Sequence, residues 1–549
     1  MNCNRLNFII PAMASAALLS AGFLVPHCGS AALIALIPLL WMDAKASECG
    51  AKHFWWWYYG VFLAWNLITT FWVCNATFAG GIAASVINAA MMGAVWALFR
   101  LSKRSFKGAL PYIFLAATWI AWEKAYFNAE VSWPWLTLGN AFAGTTTCIQ
   151  WYEITGTLGG SLWIWACNLS VFGLLKAMED GKWKQWNKKA QWCAAVGTIL
   201  LFVGPLTASW VRYATYRPDT EGSLDAVVLQ PDFDPYEKFE SLSQSQQNDI
   251  LVKMMREVEQ NRDSVTPLLL VAPETFTNDV VLSDIAGNAS MFAFRKCLSS
   301  RPNTNLLFGA STYQIYPPDW TPTYTARQMH DGRWYEDHNS AIMIDGTPRV
   351  EIYHKSRLVV GVEKMPWPRF FSKVDKWLGG NVMGRCIGQE QASTLDFVCN
   401  APEFAATIAE AKTPIGCAIC YESVYPEYFA TFVRAGARAM TVITNDAWWG
   451  DTPGYRQHLR YSALRAIETR RDIARCANTG ISAFINSRGD IVSRTSWWER
   501  QTLEGKLGLS STLTPFVEHG DQCGRICTLV FILLAVLLVV RRRTEIRKK

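Results

Sequence analysis

Pro414-Ile415-Gly416-Cys417-Ala418-Ile419-Cys420-Tyr421-Glu422-Ser423 is a short apolar run that ends in a cysteine and then at once in a tyrosine and a glutamate. Such a run reads as a buried strand, with Cys420 at its end and a helical pattern starting near Pro426. Six similar runs surround it, at 224–230, 268–272, 305–310, 340–344, 439–444 and 481–485. Helical patterns at 244–260, 426–436 and 455–475 alternate with them. Near-continuous apolar strands mean a sheet covered on both faces. Residues 211–523 are therefore expected to form an α/β sandwich.

The rest of the chain differs. Half of its 549 residues are hydrophobic, and 26 are tryptophan. Apolar segments near 6–26, 30–43, 54–74, 81–99, 110–123, 160–176 and 192–210 fill the N-terminal part, and a last one covers 526–540. Runs of this length suit a bilayer, so about eight membrane helices are expected. The first has Arg5 and small residues like a signal peptide, but the segments that follow favour a retained anchor. The expected domains are 1–210 (seven membrane helices), 211–523 (soluble) and 524–549 (last helix and basic tail).

Loop charges set the expected orientation. Lys45 and Lys52 follow the second segment; Lys103, Arg104 and Lys107 follow the fourth; Lys182, Lys184, Lys188 and Lys189 follow the sixth. Arg541, Arg542, Arg543, Arg547, Lys548 and Lys549 follow the eighth, whereas the alternate loops hold only Lys124. The positive-inside rule then places both termini in the cytoplasm and the soluble domain outside, in the periplasm of a bacterium. The net charge of +7 is spread over these loops and the C-terminus, a pattern of membrane orientation and not of nucleic-acid binding. The 15 cysteines show no zinc-type spacing, so neither a metal nor a cofactor is expected, nor a cluster to hold one.

Three residues at strand ends offer chemistry. Cys420 would be a nucleophile near helix-terminal N–H groups. A buried structural cysteine is the alternative, and so is a redox pair with Cys417, which a continuing strand would turn to the opposite face. Glu274, after Pro273, is placed to act as a base, or else is an ordinary capping acid. Lys355 in Tyr353-His354-Lys355-Ser356 would stabilise an oxyanion, or else is a surface lysine.

These segments resemble the Glu-Lys-Cys signature of the nitrilase superfamily. Together with the membrane segments, the whole chain resembles the apolipoprotein N-acyltransferase family. Trp133-Pro134-Trp135-Leu136 with Leu138-Gly139-Asn140 resembles that family's loop between the fifth and sixth helices. Asn445–Asp451, His458-Leu459, Arg465–Glu468 and Asn478–Ile481 continue the resemblance in order. Ala272 departs from the tryptophan frequent before Pro-Glu, and Val360-Gly361-Val362-Glu363 is a looser version of the family's segment.

The resemblance implies a nitrilase-like αββα sandwich in a bacterial inner-membrane enzyme. It implies Glu274 as base, Lys355 as oxyanion stabiliser, Cys420 as nucleophile and Glu363 as a second glutamate, a Glu-Lys-Cys triad working by ping-pong kinetics. Tyr421 and Glu422 match the residues after the family's cysteine. The implied reaction moves a fatty acyl chain from a phospholipid, phosphatidylethanolamine above all, through a Cys420 thioester to the amino group of a diacylglyceryl-cysteine apolipoprotein. Trp133, Trp135, Trp367, Trp448 and Trp449 are candidates for a cleft rim at bilayer level. The same trio would serve a membrane-tethered amidase acting on small amides. A transporter would call for ionisable groups inside its helices, and few are present.

Overall fold

A computed structural model describes residues 5–51, 53–260, 262–377, 379, 382–400 and 411–547. Lys52, Lys548 and Lys549 lie outside the described residues. The chain divides into two compact units, Met1–Tyr216 with His519–Lys549, and Arg217–Glu518.

The first unit is helical. Six of its described helices are long and apolar enough to cross a membrane: Leu6–Leu24, Gly29–Glu48, Phe78–Ser102, Tyr152–Glu179, Lys188–Thr215 and Gln522–Ile546. Six of the eight expected spans thus coincide with helices of this kind. The difference is the expected third and fifth spans, which are real helices, Trp55–Thr70 and Leu110–Tyr126, but run only 16 and 17 residues. A helix rises 1.5 Å per residue, so each falls just short of the usual span of about 20 residues.

Some polar side chains inside the bundle pair with one another or with backbone, as a medium without water favours. Asn88 Nδ2 donates to Asn66 Oδ1 at 2.8 Å, and the Leu36 N–H donates to Asn168 Oδ1 at 2.7 Å. Buried Trp65, Trp96, Trp119 and Trp165 fill the space between helices. The basic loops meet at one end. Asp43 is held by Arg100 at 2.8 Å and Lys103 at 2.6 Å, Lys176 pairs with Glu48 at 2.6 Å, and Arg541 donates to the Ser105 carbonyl at 3.3 Å.

The second unit is an open α/β sandwich of two sheets. The first has eight strands. Its main path runs Gln501–Leu509, Gly222–Gln230, Leu268–Val271, Thr304–Tyr316, Trp334–Ile344 and Arg327–Gln328. Thr277–Val281 pairs beside Thr304–Tyr316, and Val350–His354 beside Trp334–Ile344. The second has six strands in the order Ile491–Arg494, Ala483–Ile485, Ile473–Ala477, Ala439–Thr444, Lys412–Ile419 and Leu395–Val398.

The central strands Leu268–Val271, Ala439–Thr444 and Ile473–Ala477 are buried at every residue, as continuous apolar runs require. On the first sheet, Leu251, Met255 and Val258 of helix Gln244–Gln260 join Met291 and Phe294 of helix Ala289–Leu298 in one apolar core. The sheets face each other: the Cys476 thiol donates to the Leu229 carbonyl at 3.3 Å, and Ser482 Oγ donates to Gln230 Oε1 at 2.7 Å.

Candidate active site

Cys420 sits where strand Lys412–Ile419 stops. Its φ is +52°, a left-handed conformation that costs a non-glycine residue about 1–2 kcal/mol. The chain then makes a short turn, Cys420–Val424, and enters helix Pro426–Arg434. The strained turn lifts the sulfur out of the strand. Such strain persists only where neighbours fix it.

Glu422 supplies that fixation. Its Oε2 accepts the Ile419 N–H at 2.8 Å. Its Oε1 accepts Tyr353 Oη–H at 2.6 Å, the Ser356 N–H at 2.7 Å and the Arg357 N–H at 3.2 Å. One buried carboxylate thus bolts the segment after Val350–His354, which carries Lys355, to the nucleophile turn. Burial pushes its carboxyl up to about 7, against the pull of these donors. Glu422→Gln is expected to turn an amide N–H₂ toward backbone N–H groups that can only donate. The outcome should be at least a ~10-fold loss of acyl-enzyme formation with an intact second unit, checked by intact mass and circular dichroism.

Glu274 follows strand Leu268–Val271, at a second strained turn where Thr275 has φ +47°. The turn lies against Gly309, where an added Cβ would come within 2.5 Å of the Glu274 Cα. Gly309→Ala is expected to push Glu274 aside and cost activity far more than fold, measured by the same pair of assays. Lys355 is fixed at the end of Val350–His354, its N–H donating to the Asn339 carbonyl at 2.7 Å.

Lys355, 1% exposed, donates through Nζ to Glu274 Oε1 at 3.0 Å and to Glu363 Oε1 at 2.8 Å. Asn339 Nδ2 donates to the same two oxygens at 2.8 and 2.7 Å. Glu274 Oε2 accepts the Asn445 N–H at 3.1 Å, which joins the two sheets. Burial works to lower the Lys355 pKa, but the two carboxylates outweigh it and hold the ammonium well above its usual value. The Cys420 thiol is pushed up, first by burial and then by the Glu274 charge, while Lys355 pulls it down. Both charges therefore act on the sulfur.

The expected closed Glu-Lys-Cys triad is corrected by the structure. The cluster whose side-chain atoms gather within 4.8 Å of one another around the nucleophile is Cys420, Asp446 and His458. Glu274 directs its hydrogen bonds to Lys355, Asn339 and Asn445 instead. The reason is register: strand Ala439–Thr444 lies parallel beside the nucleophile strand and delivers Asp446 next to Cys420.

This cluster also corrects the expectation that no metal-ligating group exists. Its atoms are engaged, however. Asp446 accepts Thr444 Oγ1–H at 2.8 Å and Arg475 Nη2–H at 2.5 Å, and lies 2.9 Å from His458 Nδ1. His458 Nε2 is 3.1 Å from the Cys420 carbonyl and 2.9 Å from Ser423 Oγ. These bonds tie Asp446 and His458 to the Cys420 turn. The arrangement holds the strained turn from beneath.

Burial would raise the Asp446 pKa, but Arg475 and His458 outweigh it and set it to about 2. A folded-state pKa below the usual 3.8 gives stability that is present above that value and lost as pH falls through about 2. Asp446→Asn is expected to lower thermal stability at neutral pH and to flatten the loss between about pH 4 and 2, measured by melting temperature across pH.

The remaining expected residues lie as follows. Tyr421 is buried edge-on to Tyr425, at 5.1 Å between rings. Trp367 is 55% exposed and Trp448 36% exposed, and Trp449 packs on His458. Trp133 and Trp135 belong to the helical unit. Trp135 is 0% exposed, packed on Trp72 at 4.8 Å and stacked on Trp133, so it is core and not rim.

Asn339, Asp446 and Arg475 were not expected in the site. Asp446 had a signal: like Glu274, it is an acid just past the end of an apolar strand.

Residues 241–513 match the carbon-nitrogen hydrolase family, and residues 15–170 match the apolipoprotein N-acyltransferase N-terminal domain. An apolipoprotein N-acyltransferase of Chlorobaculum tepidum is 29% identical over 94% of this chain and 93% of its own length. One of Geobacter metallireducens is 25% identical over 77% and 73%. Among solved structures, Saccharomyces cerevisiae Nit3, of the nitrilase superfamily, aligns at TM-score 0.35 and 14% identity, over 55% of this chain and 94% of that one.

Proposed function

Since the chain belongs to the apolipoprotein N-acyltransferase family, we propose that it moves a fatty acyl chain from a phospholipid such as phosphatidylethanolamine to the amino terminus of a diacylated apolipoprotein. Cys420 is the acyl carrier. Its sulfur attacks an ester carbonyl, the C–S bond forms, and the ester C–O bond breaks. Lysophospholipid leaves with the thiol proton. The α-amino group of the diacylglyceryl-cysteine then attacks the thioester, forming an amide and restoring the thiol.

The observation that carries this reading is the strained Cys420 turn beside the buried Lys355 ammonium, in a chain that also has the matched membrane domain. Lys355 faces charge that develops at the sulfur and the tetrahedral oxygen, in a site from which water is largely excluded. Glu274 and Glu363 fix that ammonium, Glu422 fixes the turn, Tyr421 packs edge-on to Tyr425, and Trp448 lies on the short turn Asp446–Trp449 after strand Ala439–Thr444.

The membrane helices keep both lipid substrates at the enzyme. We place the protein in a bacterial inner membrane with the second unit in the periplasm and both termini cytoplasmic. The meeting of Lys103, Lys176 and Arg541 at one end of the helical unit supports a shared cytoplasmic side for these loops. The test is purified protein with phosphatidylethanolamine and a diacylated lipopeptide. N-acylated lipopeptide with equimolar lysophospholipid supports transfer. Free fatty acid whatever the acceptor supports a hydrolase instead of a transferase.

A further inference from the structure

Helix Pro453–Thr469 carries Arg456 and Arg460 at i and i+4, on one face. Strand Ile491–Arg494, at the edge of the second sheet, brings Arg494 to the same cavity, of about 380 Å³. Thr495, Ser496 and Trp497 continue its wall, and Leu459 and Ile481 give it an apolar side. Three arginines thus meet at one cavity of the second unit. Like charges at this helix spacing destabilise a fold.

The repulsion is not relieved from within the chain. Burial first, then the charge of Arg456, pushes the Arg460 guanidinium below its usual value; Arg494 adds to the push and Tyr461 opposes it. Among the described residues, the Arg460 and Arg494 guanidinium groups have no ion-pair or hydrogen-bonding partner. Arg456 has one. It donates to Asp451 Oδ1 at 2.8 Å, between two exposed side chains, and lies over the Tyr455 ring at 4.9 Å. One carboxylate for three arginines leaves the cavity strongly positive.

The walls are set before any ligand arrives. Thr495 Oγ1 donates to Gln230 Oε1 at 2.8 Å, and Gln230 Nε2 donates to the Ser496 carbonyl at 3.0 Å. Trp497 stacks on Tyr455 with 3.9 Å between ring centres. Guanidinium forks match the oxygen pairs of a phosphate group, and an apolar side strengthens that attraction.

We propose that Arg456, Arg460 and Arg494 form an anion site that takes a phosphate group, separate from the acyl-transfer chemistry. The cavity lining holds none of Cys420, Lys355, Glu274 and Glu363, so the site stands whether or not the acyl-transfer reading does. A soluble phosphate and an anionic lipid headgroup offer the same oxygens, and the test separates them.

The experiment uses the full-length protein in non-ionic detergent, with inorganic phosphate as the probe and chloride holding the ionic strength constant. Phosphate is expected to raise the wild-type melting temperature saturably. Arg494→Gln, at an exposed strand end, should weaken phosphate binding by at least ~10-fold in calorimetry. Arg460→Gln should weaken it equally and also raise the melting temperature without phosphate, because it removes a half-buried, repelled charge. A lower melting temperature for Arg460→Gln with phosphate binding intact would mean a structural arginine and would overturn the site. The same protein is then placed in nanodiscs of phosphatidylcholine, with and without phosphatidylglycerol. Loss of phosphate binding only in the phosphatidylglycerol discs would assign the site to an anionic headgroup; equal binding in both would assign it to a soluble phosphate. No saturable phosphate effect on the wild type, or an effect that Arg460→Gln/Arg494→Gln retains, would overturn the proposal.

Discussion

Cys420→Ser is expected to abolish the acyl-enzyme, with at least a ~10³-fold loss of transfer. Serine has nearly the same size, so the left-handed turn and its Glu422 and His458 contacts should persist. What disappears is the sulfur. A hydroxyl is a far weaker nucleophile at neutral pH. The check is intact mass after incubation with phospholipid, beside a melting curve. A variant that melts like wild type yet shows no acyl increment is the expected pair of results. Retained transfer would mean that the acyl group never rests on this residue.

Lys355→Met is expected to be the most damaging change that leaves the nucleophile in place. The ammonium is 1% exposed and is shared by Glu274 and Glu363 at 3.0 and 2.8 Å. Removing it strands two carboxylates in a site with little water. Breaking one partner of a buried ion pair costs about 3–5 kcal/mol. The positive charge facing the sulfur is lost as well, so the thiol, already pushed up by burial and Glu274, should be harder still to ionise. Transfer should fall by at least ~10²-fold, and the melting temperature should drop with it. Lys355→Arg restores charge but not the compact ammonium geometry. It should recover more stability than activity. If Lys355→Met kept wild-type transfer, the assignment of Lys355 to the site would fail.

Much of this site was legible because its residues mark strand ends. Glu274 follows Val271-Ala272-Pro273, Lys355 follows Val350–His354, and Cys420 follows Lys412–Ile419. Apolar runs reveal where strands stop, and chemistry in layered α/β folds collects at such ends. Glu422 was legible only as a neighbour of the cysteine. Its role depends on Tyr353, Ser356 and Arg357, some 65 residues earlier, and no local pattern encodes that contact.

The Asp446–His458–Arg475 network was hidden for the same reason. It draws one residue from a strand end, one from helix Pro453–Thr469 and one from strand Ile473–Ala477. Arg475 is fully buried inside a strand, which reads in sequence as an interruption of an apolar run. Only the pairing of Ala439–Thr444 with Ile473–Ala477 shows that it faces Asp446. In the helical unit, the limits of Trp55–Thr70 escaped because hydrophobicity continues through Phe71 and Trp72 after the helix has ended. Hydropathy reports burial in lipid or protein alike. Trp135 shows this again: an aromatic that suits an interface by type is packed into the core.

The most direct test of the central claim is intact mass spectrometry of the full-length protein incubated with phosphatidylethanolamine and then chased with a diacylated lipopeptide. The account predicts one fatty-acyl increment that maps to Cys420, is released by hydroxylamine, and moves to the lipopeptide amine during the chase. An increment that ends as free fatty acid with or without lipopeptide, or one that maps to any residue other than Cys420, would contradict it.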